Sequence, residues 1–235
     1  LINTKNDQNN NSNLDFNEMK LEISRKDECY AILRILGNGS DGYVYLIYFF
    51  PEDKIFALKS PCIEEVALTK RERDNFLNLN YPFMPKYYGH IQVNREYHLM
   101  LEYINGKTLD KYDFGSLSDN DLNNIIYELM LTTQRIHTKG YMYRDWRLQN
   151  IIINENNDIT LIDFGRMIPQ DSQEITLSLN FIINPPELDS KQKISDKTDN
   201  YLLAFIIYLI QHRLTSEVKK YQDFFNSIKF VFSPI

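Results

Sequence analysis

Residues 141–165, YMYRDWRLQNIIINENNDITLIDFG, constrain this chain more than any other stretch. Two short apolar runs, Ile151-Ile152-Ile153-Asn154 and Ile159-Thr160-Leu161-Ile162, flank the polar segment Glu155-Asn156-Asn157-Asp158. Strand-length apolar runs joined by an Asn- and Asp-rich turn predict a β-hairpin. Asp145 and Asn150 precede this hairpin and Asp163 follows it. Closing the hairpin therefore brings Asn150 and Asp163 together, with Asp145 nearby. Oxygen ligands grouped in this way suit Mg2+, which takes one or two carboxylates together with substrate phosphates.

Composition narrows the setting. A chain of 235 residues with 43% hydrophobic content makes one large domain or two small lobes. A net charge of −6 gives no general attraction to nucleic acid or to anionic membranes. Cys29 and Cys62 make neither a disulfide framework nor a zinc site, and the four histidines are scattered. Reduced thiols of this kind fit an intracellular, cytoplasmic protein. The most apolar run, Tyr201 to Ile210, is too short to span a bilayer, so no membrane insertion is expected. Residues 1–20 are Asn-rich with few apolar anchors and are expected to be a disordered tail. The start at Leu1 in place of Met leads to the expectation of a fragment or of a chain that lacks its true start.

The remaining elements follow in order. Tyr30 to Tyr48 alternates strand-like residues around Gly37-Asn38-Gly39-Ser40-Asp41-Gly42-Tyr43-Val44. This is a glycine-rich hairpin between two strands, where a dinucleotide turn would lead from strand into helix. Its glycines let backbone approach phosphates closely. Lys54 to Ser60 reads as a third strand, and Glu64 to Leu79 as a helix with apolar Val66, Leu68, Phe76, Leu77 and Leu79. Two more strands are expected at about Tyr87 to Val93 and Tyr97 to Glu102. Ser118 with Asp121 makes a capping signal for a helix that runs to Lys139 and stops at Gly140. Ser195 to His212 reads as an apolar helix.

Taken together, Tyr143-Arg144-Asp145-Trp146-Arg147-Leu148-Gln149-Asn150 and Asp163-Phe164-Gly165 resemble the catalytic loop and metal-binding motif of eukaryotic protein kinases. The resemblance covers about Cys29 to Ile210. It implies an α+β, bilobal fold with a small antiparallel-sheet N-lobe carrying one helix (about 29–101), a hinge (about 102–106) and a mainly helical C-lobe (about 107–235). It implies transfer of the γ-phosphate of ATP, with Mg2+, to a hydroxyl of a protein substrate. In this family Asp145 would accept the hydroxyl proton, Asn150 and Asp163 would hold metal, and Arg147 would contact phosphate. Leu36, Gly37, Gly39, Gly42, Val44, Ala57 and Lys59 would surround the nucleotide. Leu101 would be the gatekeeper, and the backbone of Glu102 and Ile104 would bind adenine. Glu72 is the best partner for Lys59, with Glu65 as runner-up. Asp199 would be a buried carboxylate holding the catalytic-loop backbone.

Several positions depart from the family pattern. Tyr143 replaces the usual His, where an aromatic ring can still stack with Phe164 and Phe76; Trp146 replaces Leu, and Arg147 replaces Lys. Asn180 stands where Ser or Thr normally lines the substrate pocket. Serine or threonine is expected ahead of tyrosine as acceptor. Arg144 would pair with a phosphate on Ser172, Thr176 or Ser178, the alternative being a loop that is ordered without phosphorylation. Pro185-Pro186-Glu187 resembles the segment that closes the activation region, and the family's usual Arg partner for Glu187 has no clear counterpart, since only Arg213 lies beyond it. The C-lobe is therefore expected to be incomplete. Two alternatives remain: a pseudokinase that binds nucleotide as a scaffold, and a kinase-like fold acting on a small molecule.

Overall fold

The structure, a computed structural model, describes residues 20–24, 28–39, 42–62, 66–79, 81–93, 96–172, 185 and 195–213. The chain divides into two compact units, one of Leu1–Thr69 with Lys86–Tyr103 and one of Lys70–Pro85 with Ile104–Ile235. The architecture is α+β.

The first unit is built on a six-stranded antiparallel sheet. Its strands are β1 (Lys20–Ser24), β2 (Glu28–Gly39), β3 (Gly42–Phe49), β4 (Lys54–Pro61), β5 (Tyr87–Val93) and β6 (Glu96–Glu102), in the order β1-β2-β3-β4-β6-β5. The glycine-rich stretch is the hairpin between β2 and β3, and Lys59 lies in β4, as the sequence predicts. Residues alternate faces along a strand, and directly opposed residues share a face. Tyr30, Ile47, Phe56, Leu58, Ile91 and Met100 form a buried apolar cluster. The opposite face carries a second row, in which Val44 opposes Lys59 and Lys59 opposes Leu99. Two residues along, Leu46 opposes Ala57 and Ala57 opposes Leu101. Strand β1 was not foreseen. It pairs with β2 from Lys20↔Ile32 to Ser24↔Glu28, beginning at the last residue of the stretch expected to be a tail.

The second unit contains most of α1 (Val66–Asn78) and both longer helices, α2 (Asp119–Thr138) and α3 (Asp196–Gln211). Helix α2 starts as the sequence dictates. Ser118 Oγ accepts from Asp121 N, and the Asp121 carboxylate accepts from the Ser118 backbone in return. It ends at Gly140, whose φ of +77° is costly for other residues. Helix α3 is capped by Ser195 and buries Leu202, Leu203, Phe205, Ile206, Leu209 and Ile210. Arg213, just past its end, donates to the Phe114 carbonyl, to Leu117 O at 3.1 Å and to Asp119 Oδ1 at 3.1 Å. That clip ties the end of α3 to the start of α2.

Short strands complete the unit: β7 (Gly106–Thr108), β8 (Tyr141–Met142), β9 (Ile151–Asn154), β10 (Ile159–Leu161) and β11 (Ile168–Pro169). The β9–β10 hairpin forms where expected, in the register Ile151↔Leu161, Ile152↔Thr160 and Ile153↔Ile159. Its turn is closed by Asn154 N donating to Asp158 O at 3.1 Å, with Asn157 at φ +64°. Among the described residues no helix is long and apolar enough to cross a membrane.

The cap of α2 yields a stability prediction. Ser118→Ala removes the hydroxyl that accepts from Asp121 N, leaving only the backbone half of the capping box, and should cost about 1 kcal/mol. For a chain of this size that lowers Tm by roughly 2–4 °C. An unchanged melting curve would show that the cap does not support the helix.

Candidate active site

The loop between β8 and β9 carries the YRDWRLQN motif, and one carboxylate holds its backbone. Asp199, in the first turn of α3, is completely buried. Its Oδ2 accepts from Tyr143 N at 2.7 Å, and its Oδ1 accepts from Arg144 N at 2.7 Å. His137 Nε2, near the end of α2, lies 3.0 Å from the same Oδ2. Arg144 adopts φ +71°, a left-handed conformation unfavourable for a side chain of its size. The two hydrogen bonds to Asp199 flank and hold that strained peptide.

Asp145 follows directly and is also buried. Asn150 Nδ2 donates to Asp145 Oδ2 at 2.7 Å and to Asp145 O at 3.0 Å, closing the loop on itself. Arg147 Nη2 lies 2.7 Å from Asp145 Oδ1, and Arg166 Nε lies 3.8 Å from Oδ2. Burial pushes the Asp145 carboxyl above the ordinary aspartate range, and the neighbouring Asp163 charge adds to the rise. Arg147, Arg166 and the Asn150 hydrogen bond pull in the other direction. The hairpin delivers Asp163 to this place. Ile162 N donates to Asn150 O at 2.8 Å, so Asp163 is one residue beyond a direct partner of Asn150. Asp163 itself has φ +65°.

Phe164 is anchored from three directions. Its N–H donates to Glu72 Oε1 at 3.1 Å, and its carbonyl accepts from Asn75 Nδ2 at 2.8 Å. Asn75 also reaches Met167 O at 3.0 Å. The Phe164 ring meets Phe76 edge-on at 5.4 Å and Tyr143 at 5.6 Å, and Tyr143 meets Trp146 at 5.1 Å. Glu72, Asn75 and Phe76 are spaced i, i+3, i+4 and so share one face of α1. Tyr143 does meet Phe164, edge-on where stacking was expected, and Phe76 meets Phe164 in the same way. The Tyr143 hydroxyl donates to Ile162 O at 2.5 Å. Burial and the charges of Asp145 and Asp163 raise its pKa well above that of an ordinary phenol, so it stays a neutral donor.

In the first unit, the sequence-predicted nucleotide residues Val44, Ala57, Lys59 and Leu101 fall on one face of the sheet, as the register requires. Leu36 sits at a shift in register between Ile35 and Gly37. Gly42, at φ +130°, packs so closely on β4 that a Cβ would lie 2.1 Å from Ser60 O, so no other residue fits. A Cβ on Gly37 or Gly39 would meet nothing within 4 Å, leaving open space beside the hairpin backbone. Glu102 N donates to Lys86 O at 2.8 Å, and Ile104 opens the second unit.

Sequence reasoning missed three residues. His137 contacts Asp199, Asn75 holds both Phe164 and Met167, and Arg166 faces Asp145. For Asn75 a signal existed, its i+3 spacing from Glu72. Ser172 N donates to Pro169 O at 3.1 Å. Glu65, Thr176, Ser178, Asn180 and Glu187 lie outside the described residues. Arg213, the one Arg beyond Glu187, is engaged at the start of α2.

The two carboxylates and the Asn150 amide are hard oxygen donors; burial raises Asp145 most, and the Asp163 repulsion that adds to it is what a bound cation would relieve. This set fits Mg2+. Among the described residues no group of three or more His, Cys, Asp or Glu side chains forms a metal cluster, so a site here needs the amide or a ligand's own oxygens.

Comparison with known proteins identifies a family. The family model described as "Protein kinase domain" matches residues 30–230. "Ribosomal protein S6 kinase alpha-6" of Danio rerio is 26% identical over 196 residues, covering 76% of this chain and 26% of the relative. "Aurora kinase" of Eremothecium gossypii is 26% identical over 189 residues, covering 76% of this chain and 52% of the relative. "Ribosomal protein S6 kinase alpha-3" of Homo sapiens is 29% identical over 150 residues, covering 58% of this chain and 20% of the relative. The chain thus spans from a fifth to about half the length of these curated relatives. With the family model spanning residues 30–230, the chain belongs to the protein kinase domain family.

Proposed function

We propose that this chain transfers the γ-phosphate of ATP to protein hydroxyls, serine or threonine ahead of tyrosine. The observation that carries this reading is the Asp145 carboxylate, fixed by Asn150 and Arg147 beside Asp163. Phosphoryl transfer is a matter of positioning and charge neutralisation more than covalent chemistry. Asp145 orients the acceptor hydroxyl and takes its proton. Asn150 and Asp163 hold Mg2+, which neutralises phosphate charge when bound. Lys59 and the open backbone at Gly37 and Gly39 meet the phosphates. Leu36, Val44, Ala57 and Leu101 offer apolar contacts to the base, and the backbone of Glu102 and Ile104 offers hydrogen bonds. Glu72 positions the metal-binding segment by holding Phe164 N. Relatives named as an S6 kinase and an Aurora kinase support the kinase reading.

Nucleotide binding and transfer are separable. Asp145→Asn should lower turnover by roughly 10²–10⁴-fold while nucleotide affinity stays near wild type. Wild-type turnover in that variant would remove Asp145 from its role. A wild-type chain that binds Mg-ATP with no transfer to a mixed Ser, Thr and Tyr peptide library would instead identify a pseudokinase scaffold.

The metal role has its own readout. Nucleotide affinity of the wild-type chain should rise on addition of Mg2+, and Asp163→Ala should abolish that rise. Equal affinity in Mg2+ and in excess chelator would contradict the assignment of Asn150 and Asp163.

A further inference from the structure

One hydrogen bond crosses the sheet of the first unit without belonging to its ladder. Arg34 Nη2, on β2, donates to the Tyr103 hydroxyl at 3.0 Å, and Tyr103 directly follows β6. In the sheet, β3 and β4 lie between β2 and β6. Three strand spacings amount to about 14 Å, a span that two long side chains must cover between them. Such a bridge cannot pass through the sheet, so it runs over one face.

The register tells which face. Arg34 opposes Leu46, Leu46 opposes Ala57, and Ala57 opposes Leu101. Opposed residues share a face, so Arg34 stands in the same row as Ala57 and Leu101, on the face assigned above to the nucleotide. Arg34 is exposed and Tyr103 half-buried, which puts the bridge at the solvent edge of that face. The ladder between β2 and β3 shifts register on both sides of Arg34-Ile35, between Ile32 and Arg34 and again between Ile35 and Gly37. Leu33 and Leu36 are thereby left without an opposed residue on β3. Leu36 thus sits where strand pairing is interrupted, and Arg34, two residues away, supplies a tie of another kind. At the far end of that tie the chain is anchored. Glu102 N donates to Lys86 O at 2.8 Å, and the Glu102 carboxylate accepts from Lys86 N at 3.1 Å. Tyr103 extends from this fixed point, between the two residues whose backbone is assigned to adenine.

We propose that Arg34 and Tyr103 are positioning residues, a strap that holds Leu36 over the base end of the nucleotide face and slows release of an adenine nucleotide. This rests on reading Leu36, Ala57, Leu101 and the backbone of Glu102 and Ile104 as contacts to the base.

The test reads nucleotide binding and not turnover. Release of mant-labelled ATP with Mg2+ from the 235-residue chain is followed by stopped flow after a chase of unlabelled ATP. The wild type is compared with Tyr103→Phe, Arg34→Met and the double variant. Loss of one hydrogen bond from a charged donor should speed release about three- to tenfold in each single variant. The double variant should be no faster than the singles, because both changes remove the same bond. Arg34→Lys should retain part of the slow release. Adenosine affinity should fall by the same factor in the strap variants, whereas Lys59→Met should weaken ATP and leave adenosine unchanged. A loss of general stability would not separate the two ligands in this way. Release within about twofold of wild type in both single variants, a double variant whose acceleration is the product of the two, or unchanged adenosine affinity would overturn the strap and leave the nucleotide site standing. A wild-type chain that binds neither ATP nor adenosine would overturn the nucleotide reading and this inference together. A strap effect in a chain that transfers no phosphate would support this inference and contradict only the kinase activity. If Arg34→Met fails to fold, Tyr103→Phe, which loses a single hydroxyl, and Arg34→Lys carry the comparison.

Discussion

The loop that carries Asp145 depends on one buried charge. Asp199 sits at the start of α3 with no solvent exposure, and isolating a carboxylate in that way costs several kcal/mol unless it is fully hydrogen-bonded. Its partners are two consecutive loop amides and His137 on α2. Both oxygens are used, and each loop bond is a short, charge-assisted one. The dipole of α3 also favours a negative group in its first turn. The left-handed Arg144 exists because these bonds outweigh its backbone cost, and Asp145 takes its direction from Arg144. Three elements distant in sequence, α2, α3 and the loop, are thereby joined at a single carboxylate.

A second anchoring acts on the segment proposed to hold metal. The β9–β10 hairpin brings Asp163 next to Asn150, and α1 holds the following residue through Glu72 and Asn75. The rings of Phe76, Phe164, Tyr143 and Trp146 then connect that segment to the loop by edge-to-face contacts. Such pairs are worth about 0.5–1.5 kcal/mol each beyond their burial. Tyr143 does double service, meeting Phe164 edge-to-face and donating to Ile162 O. Asp145 and Asp163 are thus positioned by separate supports that meet at Tyr143.

What was legible in the sequence was local. The hairpin could be read because its turn residues and strand lengths lie within a few positions of one another. The ends of α2 were legible for the same reason, in Ser118, Asp121 and Gly140. The glycine hairpin could be told from a dinucleotide turn by the strand that follows it. Asp199 was legible only through resemblance to a family, since no local pattern says that a helix-start Asp faces a loop 55 residues earlier. His137 to Asp199 and Asn75 to Phe164 span 62 and 89 residues, and such contacts are set by how helices pack, which periodicity does not encode. Strand β1 escaped notice because its pairing is decided by the edge of β2 and not by its own short sequence. Arg166 was hidden by its neighbours, since the motif that ends at Gly165 drew attention away from the next residue.

The central claim is that Asp199 holds the loop that carries Asp145. Asp199→Asn keeps the shape but replaces one acceptor oxygen with an amino group, so one loop N–H must face another donor. Amide hydrogen exchange across residues 141–147 tests this directly, measured against the central amides of α2 and α3 in the same sample. Losing a hydrogen bond to a buried charge predicts exchange at Tyr143 and Arg144 that is faster by roughly tenfold or more, with helix protection largely kept. Unchanged exchange at these two amides, in a chain whose helices stay protected, would contradict the account.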